Sequence, residues 1–195
     1  MILYLIRHGM TAGNQKKRYI GTTDEPLCHE GRALLTRILE SHRYPCPDFL
    51  YCSPMLRCRE TAEILFPGKE QHLISDFREC DFGSFENQNY MELAGNEAYQ
   101  KWIDSNGQLP FPGGESREEF QERSIQAFYQ LEKELEQAQA EDKITAIVAH
   151  GGTIMSILEA VGVPAGSYYD FQAGNGEGYR LEGKNGQYHY QKLGE

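Results

Sequence analysis

The stretch Ile2-Leu3-Tyr4-Leu5-Ile6-Arg7-His8-Gly9 decides the fold of this chain. It begins with a short apolar run, which is typical of a strand that is buried on both faces. Strands of this kind belong to mostly parallel sheets, where ligands bind beyond the carboxyl ends. The run stops at Arg7, His8 and Gly9, so these residues are predicted to lie at that edge. The triplet alone is a weak signal, because three such residues often occur together by chance.

Similar apolar runs recur along the chain and alternate with helical patterns, which predicts an α/β fold. The expected architecture is a three-layer α/β/α sandwich with a mostly parallel central sheet, helices on both faces and a small cap insertion. Strands are predicted at 2–6, 49–52, 73–74, 144–149, 179–181 and 188–192, the last two flanking an Asn185-Gly186 hairpin signal. Helices are predicted at 30–43, 57–66, 91–103 and 153–161, and a polar loop at 10–29.

The length of 195 residues predicts a single domain over 1–195 with room for a sizeable core. The segment at about 78–112 is irregular and rich in polar residues, and it is predicted to form the cap. Pro112-Gly113-Gly114 ends this segment. Ser116 and Glu119 then form a capping-box pattern, which marks the start of a long amphipathic helix.

The overall composition limits the classes of partner. The chain has 19 basic and 29 acidic residues and a formal net charge of −10, which argues against sequence-independent nucleic-acid binding. A small anionic substrate is compatible with this charge when basic residues gather in one cleft. No apolar stretch is long enough to cross a membrane, so no membrane partner is expected. The sequence leaves a homodimer open.

The cysteines indicate the redox environment. There are five, an odd number, and they contain no C-x-x-C pair. A disulfide framework and a zinc site are therefore not expected, and a reducing cytoplasm is the predicted location. The apolar run that ends at Arg7 is also too short for a signal peptide.

A second predicted strand, 144–149, also ends in a histidine and glycines, His150-Gly151-Gly152. The carboxyl ends of parallel strands point the same way. If these two strands are neighbours, His8 and His150 face each other across one pocket. A third strand, 49–52, leads into Ser53-Pro54-Met55-Leu56-Arg57, which brings Arg57 to the same rim as Arg7.

Two arginines and two histidines around one point predict a site for a phosphoryl group. The positive surroundings disfavour imidazolium, so they lower the histidine pKa and leave a nitrogen lone pair free. A neutral His8 can then attack phosphorus in line and form a phosphohistidine. The leaving alkoxide needs a proton, which Glu79 is placed to supply at the start of the predicted cap.

With these residues the chain resembles the histidine phosphatase superfamily, also called the phosphoglycerate mutase-like family. The matching segments follow the family's order from residue 2 to about 162: Leu5-Ile6-Arg7-His8-Gly9-Met10-Thr11 with Asn14; Gly21, Asp24, Pro26-Leu27 and Gly31; Ser53-Pro54-Met55-Leu56-Arg57 with Thr61-Ala62-Glu63; Glu79 with Asp81-Phe82-Gly83; Pro112-Gly113-Gly114-Glu115-Ser116; and Val148-Ala149-His150-Gly151-Gly152.

The resemblance implies a role for each matching residue. His8 would be the phosphorylated nucleophile and Glu79 the proton donor. The phosphoryl group would be bound by the following residues: Arg7, His8, Asn14, Gly21, Arg57, His150 and Gly151. No metal and no organic cofactor are implied. Met10 and Asn87 depart from the family pattern, and both are expected near the part of the substrate that is not phosphate.

Three functions are weighed. The first is a phosphatase that hydrolyses a small phosphorylated metabolite through phosphohistidine. The second is a phosphoglycerate mutase with the same intermediate, which must exclude water and retain its product. The compact cap favours the phosphatase. The third is a non-catalytic phosphate sensor, which the full set of catalytic residue types argues against. The stretch 11–21 and the compact size also resemble bacterial α-ribazole phosphatases, which suggests α-ribazole phosphate as a substrate.

Overall fold

The computed structural model describes residues 1–140 and 142–194. The strands are β1 Ile2–Arg7, β2 Phe49–Cys52, β3 Gln71–Leu73, β4 Ile144–Ala149, β5 Gly162–Val163, β6 Gly178–Lys184 and β7 Gln187–Leu193. The α-helices are α1 Ala12–Gln15, α2 His29–Glu40, α3 Leu56–Leu65, α4 Glu97–Asp104, α5 Arg117–Gln137 and α6 Gly151–Val161. Short 3₁₀ helices occupy Ser75–Phe77, Gly83–Phe85 and Tyr168–Phe171.

The strands form one seven-stranded sheet in the order β3-β2-β4-β1-β6-β7-β5. β1 is parallel to β4, and β2 is parallel to both β3 and β4. Only β6 runs against its neighbours, β1 and β7. The mostly parallel sheet is therefore confirmed, and β1 lies in its centre with a partner on each side.

Alternate residues of β1 enter two separate cores, one on each face of the sheet. Leu3 and Leu5 pack on one face with apolar residues of α5 and α6. Ile6 packs on the other face with residues of α2 and α3. This pattern explains why the whole run is apolar, and it confirms the three-layer α/β/α sandwich.

A third, smaller core covers the carboxyl edge of the sheet. Its buried members are Cys80, Phe85, Leu93, Phe111 and Phe120. Phe120 belongs to the first turns of α5, whereas the others come from residues 80–111. The segment predicted as the cap thus has its own apolar cluster, which is anchored on α5.

Several local predictions differ from the structure: the strand expected at 73–74 lies at Gln71–Leu73, and the helix expected at 30–43 ends at Glu40. The helix expected at 91–103 begins only at Glu97, because the Asn96 side chain accepts from the amides of Ala98 and Tyr99 and so caps it there. Gly95, at φ +83°, turns the chain just before that cap. In the predicted polar loop 10–29, Thr11 caps the short helix α1.

The five cysteines are all free thiols. Cys52, Cys58 and Cys80 are buried and behave as small apolar residues in the cores. Within residues 1–140 and 142–194, every helix is too short or too polar to cross a membrane.

Removing the cap of α5 should lower the stability of the fold. Ser116 Oγ accepts from the amide of Glu119 at 3.1 Å, and the Glu119 carboxylate accepts from the amide of Ser116 at 2.8 Å. We expect Ser116→Ala to lower the free energy of unfolding by about 1 kcal/mol, measured by urea unfolding followed by circular dichroism. Ser116→Asp keeps a capping oxygen and should lose far less. Equal loss in both variants would contradict this interpretation.

Candidate active site

The carboxyl ends of β1 and β4 meet side by side. Arg7 is paired with Ala149 in the parallel ladder, and the amide of His8 donates to the carbonyl of Ala149 at 3.0 Å. The next residue of each strand is a histidine. The rings of His8 and His150 lie 5.2 Å apart between centroids, at an interplanar angle of 65°. The two strand-end histidines predicted to share a pocket are thus neighbours.

His8 is held as a neutral ring with a defined tautomer. Its Nδ1 lies 2.7 Å from the carbonyl oxygen of Gly9, and a carbonyl can only accept, so Nδ1 carries the proton. The lone pair is therefore on Nε2. The pKa of His8 is lowered well below its usual value, first by burial and then by the charges of Arg57 and Arg7. This is the direction that the sequence predicted.

His150 is buried beneath His8 and has polar neighbours of its own. Its Nε2 lies 2.8 Å from Ser53 Oγ and 3.5 Å from Cys58 Sγ. Burial, the charge of Arg57 and the neighbouring His8 lower the pKa of His150 well below its usual value. Ser53 was part of the motif quoted from the sequence, but its contact with His150 was not predicted.

Arg57 is fully buried, and among the described residues no carboxylate oxygen lies within 4.0 Å of its nitrogens. Its Nη1 donates to the carbonyl of Thr23 at 2.9 Å, and its Nη2 donates to the carbonyls of Gly21 at 3.0 Å and Ile20 at 3.3 Å. Its Nε is buried without a partner among the described residues. Carbonyl oxygens orient the guanidinium but leave it a full positive charge.

The loop that receives Arg57 is itself held by Glu86. The Glu86 carboxylate accepts from the amides of Gly21 at 3.0 Å, Thr22 at 2.8 Å and Phe82 at 3.2 Å. Because amides of this loop point to Glu86, its carbonyls point to Arg57. Gly21 has no room for a side chain, because a Cβ there would lie 1.8 Å from the carbonyl oxygen of Cys80. Its N–H is engaged by Glu86 in this structure, and its carbonyl by Arg57.

Arg7 repeats the arrangement of Arg57 on the other side of His8. Its Nη1 donates to the carbonyl of Ala173 at 2.6 Å, and its Nε is buried without a partner among the described residues. A Cβ at Gly151 would lie 3.5 Å from this Nε, so the glycine keeps the space beside it open. Buried N–H donors of two guanidiniums normally find acceptors, and the acceptor that suits them is an anion.

Glu79 lies between this cationic centre and the cap. Its Oε1 accepts from the amide of Cys80 at 3.0 Å, and its Oε2 accepts from the amide of Gly152 at 3.3 Å. Burial raises the pKa of Glu79, whereas these hydrogen bonds and the two arginines oppose the rise. Burial alone thus gives the direction of the shift, without a phosphate nearby.

Arg123 binds the backbone of the segment that carries Glu79. Its guanidinium donates to the carbonyls of Asp76, Arg78 and Glu79, each at 2.9 Å. Its other N–H groups reach the Glu115 carboxylate at 2.6 and 2.8 Å. All five donors are thus used. The sequence did not single out Arg123, because its partners lie some 45 residues earlier and no local pattern announces them.

Asn14 is hydrogen-bonded to Asn175, a residue that was not predicted as part of the site. Asn175 Nδ2 donates to Asn14 Oδ1 and to the carbonyl of His8, both at 3.1 Å. The amide of Thr11 also donates to Asn14 Oδ1, at 3.2 Å. Asn175 belongs to the run Gly174-Asn175-Gly176-Glu177-Gly178, whose glycines predict a turn before the strand that follows. The turn is real, since Gly176 has φ +77°, but it also braces the strand end.

A cavity of about 350 Å³ opens beside these groups. Arg7, Glu79 and Gly151 lie on its inner side, and aromatic rings and Arg117 form much of the rest. Asn14 lies outside this cavity, in a second concavity that shares Arg7 and Tyr19. Within the described part of the chain, no three His, Cys, Asp or Glu side chains are grouped so as to hold a metal ion.

The sequence matches the family model described as "Histidine phosphatase superfamily (branch 1)" over residues 3–195. The 2,3-bisphosphoglycerate-dependent phosphoglycerate mutase 2 of Gloeobacter violaceus is 31% identical over an alignment of 174 positions that covers 80% of this chain and 74% of the relative. The adenosylcobalamin/alpha-ribazole phosphatase of Salmonella typhimurium is 28% identical over an alignment of 182 positions that covers 90% of this chain and 87% of the relative.

Solved structures agree with the family match. The phosphoglycerate mutase from Thermus thermophilus has a TM-score of 0.74 at 26% identity, covering 100% of this chain and 99% of that chain. The alpha-ribazole phosphatase from Shigella flexneri has a TM-score of 0.84 at 24% identity, covering 100% and 96%, and this likeness concerns the fold alone. The chain belongs to the histidine phosphatase superfamily (branch 1) and is a phosphoglycerate mutase-like phosphatase enzyme.

Proposed function

We propose that the protein hydrolyses a small phosphomonoester through a phosphohistidine formed on His8. One observation carries the proposal: the neutral His8 ring is flanked by two buried guanidiniums, Arg7 and Arg57, each with an Nε–H that has no partner among the described residues. A phosphoryl group supplies the anionic oxygens that these donors require, and its phosphorus is the electrophile that suits a neutral imidazole.

The phosphoryl oxygens would be held from several sides. Arg7, Arg57 and His150 bind them as donors. Asn14 offers its side-chain N–H groups, because its Oδ1 already accepts from Asn175. The amide of Gly151 is the first of helix α6 and completes the set. Gly21 contributes through Arg57, whose Nη2 its carbonyl orients.

In the first step, the lone pair of His8 Nε2 attacks phosphorus in line with the ester oxygen. The N–P bond forms as the P–O bond breaks, and the electron pair leaves with the oxygen. Glu79, whose pKa is raised by burial, is proposed to enter this step as the acid: it gives its proton to that oxygen and becomes a carboxylate. The guanidiniums stabilise the charge on the equatorial oxygens in the transition state.

In the second step, water attacks the phosphohistidine. The Glu79 carboxylate accepts a proton from the water as the new O–P bond forms. The N–P bond breaks, and its electron pair returns to His8 Nε2. Inorganic phosphate leaves, and both residues are back in their starting protonation states.

The substrate is proposed from the relatives. The Salmonella typhimurium relative is named for adenosylcobalamin/alpha-ribazole phosphatase activity, and it covers 90% of this chain. We therefore propose α-ribazole phosphate as one candidate substrate of this chain.

A phosphoglycerate mutase is the second candidate, because the Gloeobacter violaceus relative carries that name at 31% identity. The two functions differ in the fate of the phosphoryl group. Incubation with a panel of phosphomonoesters, and with 3-phosphoglycerate plus 2,3-bisphosphoglycerate, separates them. Release of inorganic phosphate supports the phosphatase, whereas 2-phosphoglycerate without phosphate release would replace it with the mutase.

Replacing the nucleophile should abolish turnover. We expect His8→Ala to lower kcat/KM for p-nitrophenyl phosphate at least about a thousandfold. It should also abolish the acid-labile phosphoprotein that rapid quenching of the wild type with ³²P-labelled substrate traps. His72→Ala, at an exposed position, is the matched control and should keep both signals. Substantial turnover by His8→Ala would refute the nucleophile assignment, and a wild type that binds phosphate without any turnover would favour the sensor.

Glu79 should matter in proportion to the basicity of the leaving group. We expect Glu79→Gln to lower kcat for alkyl phosphates about a hundredfold but kcat for p-nitrophenyl phosphate less than about tenfold, because nitrophenolate leaves without a proton. Glu63→Gln, at an exposed position of α3, is the control. The acid role fails if Glu79→Gln slows both substrates equally.

The lowered pKa of His8 should also change how the free energy of unfolding depends on pH. The pKa of His8 is lowered in the folded state from a value near 6.5. As the pH falls below about 6.5, the unfolded chain binds a proton that the folded ring does not, so the free energy of unfolding decreases. Each such histidine contributes up to about 1.4 kcal/mol per pH unit to this slope.

We therefore expect the free energy of unfolding of His8→Asn, measured by urea titration from pH 7.5 to 5.5, to fall less steeply than that of the wild type. The contribution is fully present above the unfolded pKa and is lost as the pH drops. His72→Asn should parallel the wild type. A slope for His8→Asn equal to that of the wild type would mean that His8 titrates normally.

A further inference from the structure

The cavity beside Glu79 has aromatic walls. Seven aromatic side chains line it: Tyr19, Phe82, Trp102, Phe111, Phe120, Tyr168 and Tyr169. They also support one another, with ring centroids 5.0 Å apart for Phe82 and Phe111 and 5.0 Å for Trp102 and Phe111. Phe120 is 2% exposed and Phe111 8%, so the walls are fixed by their packing.

These walls select for the shape of the leaving group. Flat aromatic faces bind flat rings by offset or edge contacts and by burying apolar surface. A volume of about 350 Å³ falls in the range of small-molecule sites and admits a ring with a substituent. A short polyhydroxyl or glycerate group would leave the same faces in contact with water. The walls therefore match an aromatic alcohol.

Arg117 adds a positive charge to this cavity. Its Cζ lies 4.4 Å from the ring centroid of Tyr168 and 5.4 Å from that of Tyr169. Within residues 1–140 and 142–194, no carboxylate oxygen lies within 4.0 Å of its nitrogens, and its side chain makes no hydrogen bond. Arg123, six residues along the same helix, is instead fully paired with Glu115.

Stacking on tyrosine faces fixes the position of a guanidinium without using its N–H donors. Arg117 thus keeps both its charge and its donors for a ligand in the cavity. Arg7 and Glu79 line the same cavity, on the side where the phosphoryl group would lie. A substrate in this cavity would therefore contact both the proposed phosphate-binding residue Arg7 and a second cationic group, Arg117.

We propose that the leaving group of the substrate is an aromatic alcohol that bears an anionic substituent, which Arg117 binds. The proposal rests on the proposed function, because it places the phosphoryl group between His8 and Arg57. α-Ribazole phosphate would satisfy the aromatic walls but bring no anion to Arg117.

The binding of the free leaving group tests the proposal without any turnover. Trp102 is the single tryptophan of the chain and lines the cavity, so its fluorescence reports on occupancy. The probes are 4-hydroxybenzoate and 4-hydroxybenzamide, which have the same shape and differ in charge. We expect the wild type to bind the benzoate about tenfold more tightly. Arg117→Gln should bind the two equally, with an unchanged Kd for the benzamide.

Arg180→Gln removes the same charge on β6, outside the cavity, and should keep the preference of the wild type. The proposal is overturned if the wild type does not discriminate between the probes, if Arg117→Gln still prefers the benzoate, or if neither probe saturates the fluorescence change.

Turnover gives the second readout. In the wild type, kcat/KM for 4-carboxyphenyl phosphate should exceed that for 4-carbamoylphenyl phosphate about tenfold, and in Arg117→Gln the two should converge. If the probes bind as expected but His8→Ala still turns over both esters, the proposed mechanism fails and the binding site stands. If His8→Ala is inactive but the charge preference is absent, only this inference fails.

Discussion

The parallel pairing of β1 with β4 is the constraint on which the site depends. Because Arg7 stands opposite Ala149, the residues that follow the two strands are both histidines at the same height of the sheet. A shift of one residue in this ladder would turn every β1 side chain to the other face and separate the rings. The register is secured by apolar side chains, since Leu5 and Ile6 are both fully buried, on opposite faces. The geometry of the candidate site is thus set by packing of the core.

Arg7 and Arg57, beside His8, differ from Arg123 in whether a carboxylate pairs with the guanidinium. Arg7 and Arg57 donate to backbone carbonyls and form no ion pair among the described residues, and their charges lower the pKa of His8. Arg123 donates to carbonyls too, but Glu115 balances it. The paired Arg123 braces the loop that carries Glu79, and it is the smallest of the charges that lower the pKa of His150, whereas Arg57 is the largest. The Glu115 carboxylate is the difference between the arginine that supports the loop and the two arginines for which we propose a role in phosphate binding.

The sequence predicted the parts of the site that strand ends determine. β2 and β4 have their predicted bounds, and His8, His150 and the arginines follow from where buried strands stop. Contacts made by side chains across long separations were missed. Ser53 meets His150 across 97 residues, and Asn175 meets His8 across 167. No local pattern encodes such pairs, because they exist only once the sheet has fixed the distances. Residues 174–178 show this well: their glycines predicted a turn, but only its placement beside β1 gives Asn175 its partners.

The central position of β1 also affects when the site forms during folding. Ile2 pairs with Ile144 on one side and with Glu182 on the other, so both neighbours of the strand lie far along the chain. Loops of this length close slowly, and topologies rich in such pairings fold slowly. β1 therefore completes its pairing only after residues 144–149 and 178–182 have both joined it. A fragment that ends before β4 would contain Arg7 and His8 but would lack the pocket that His150 and the neighbouring strand build around them.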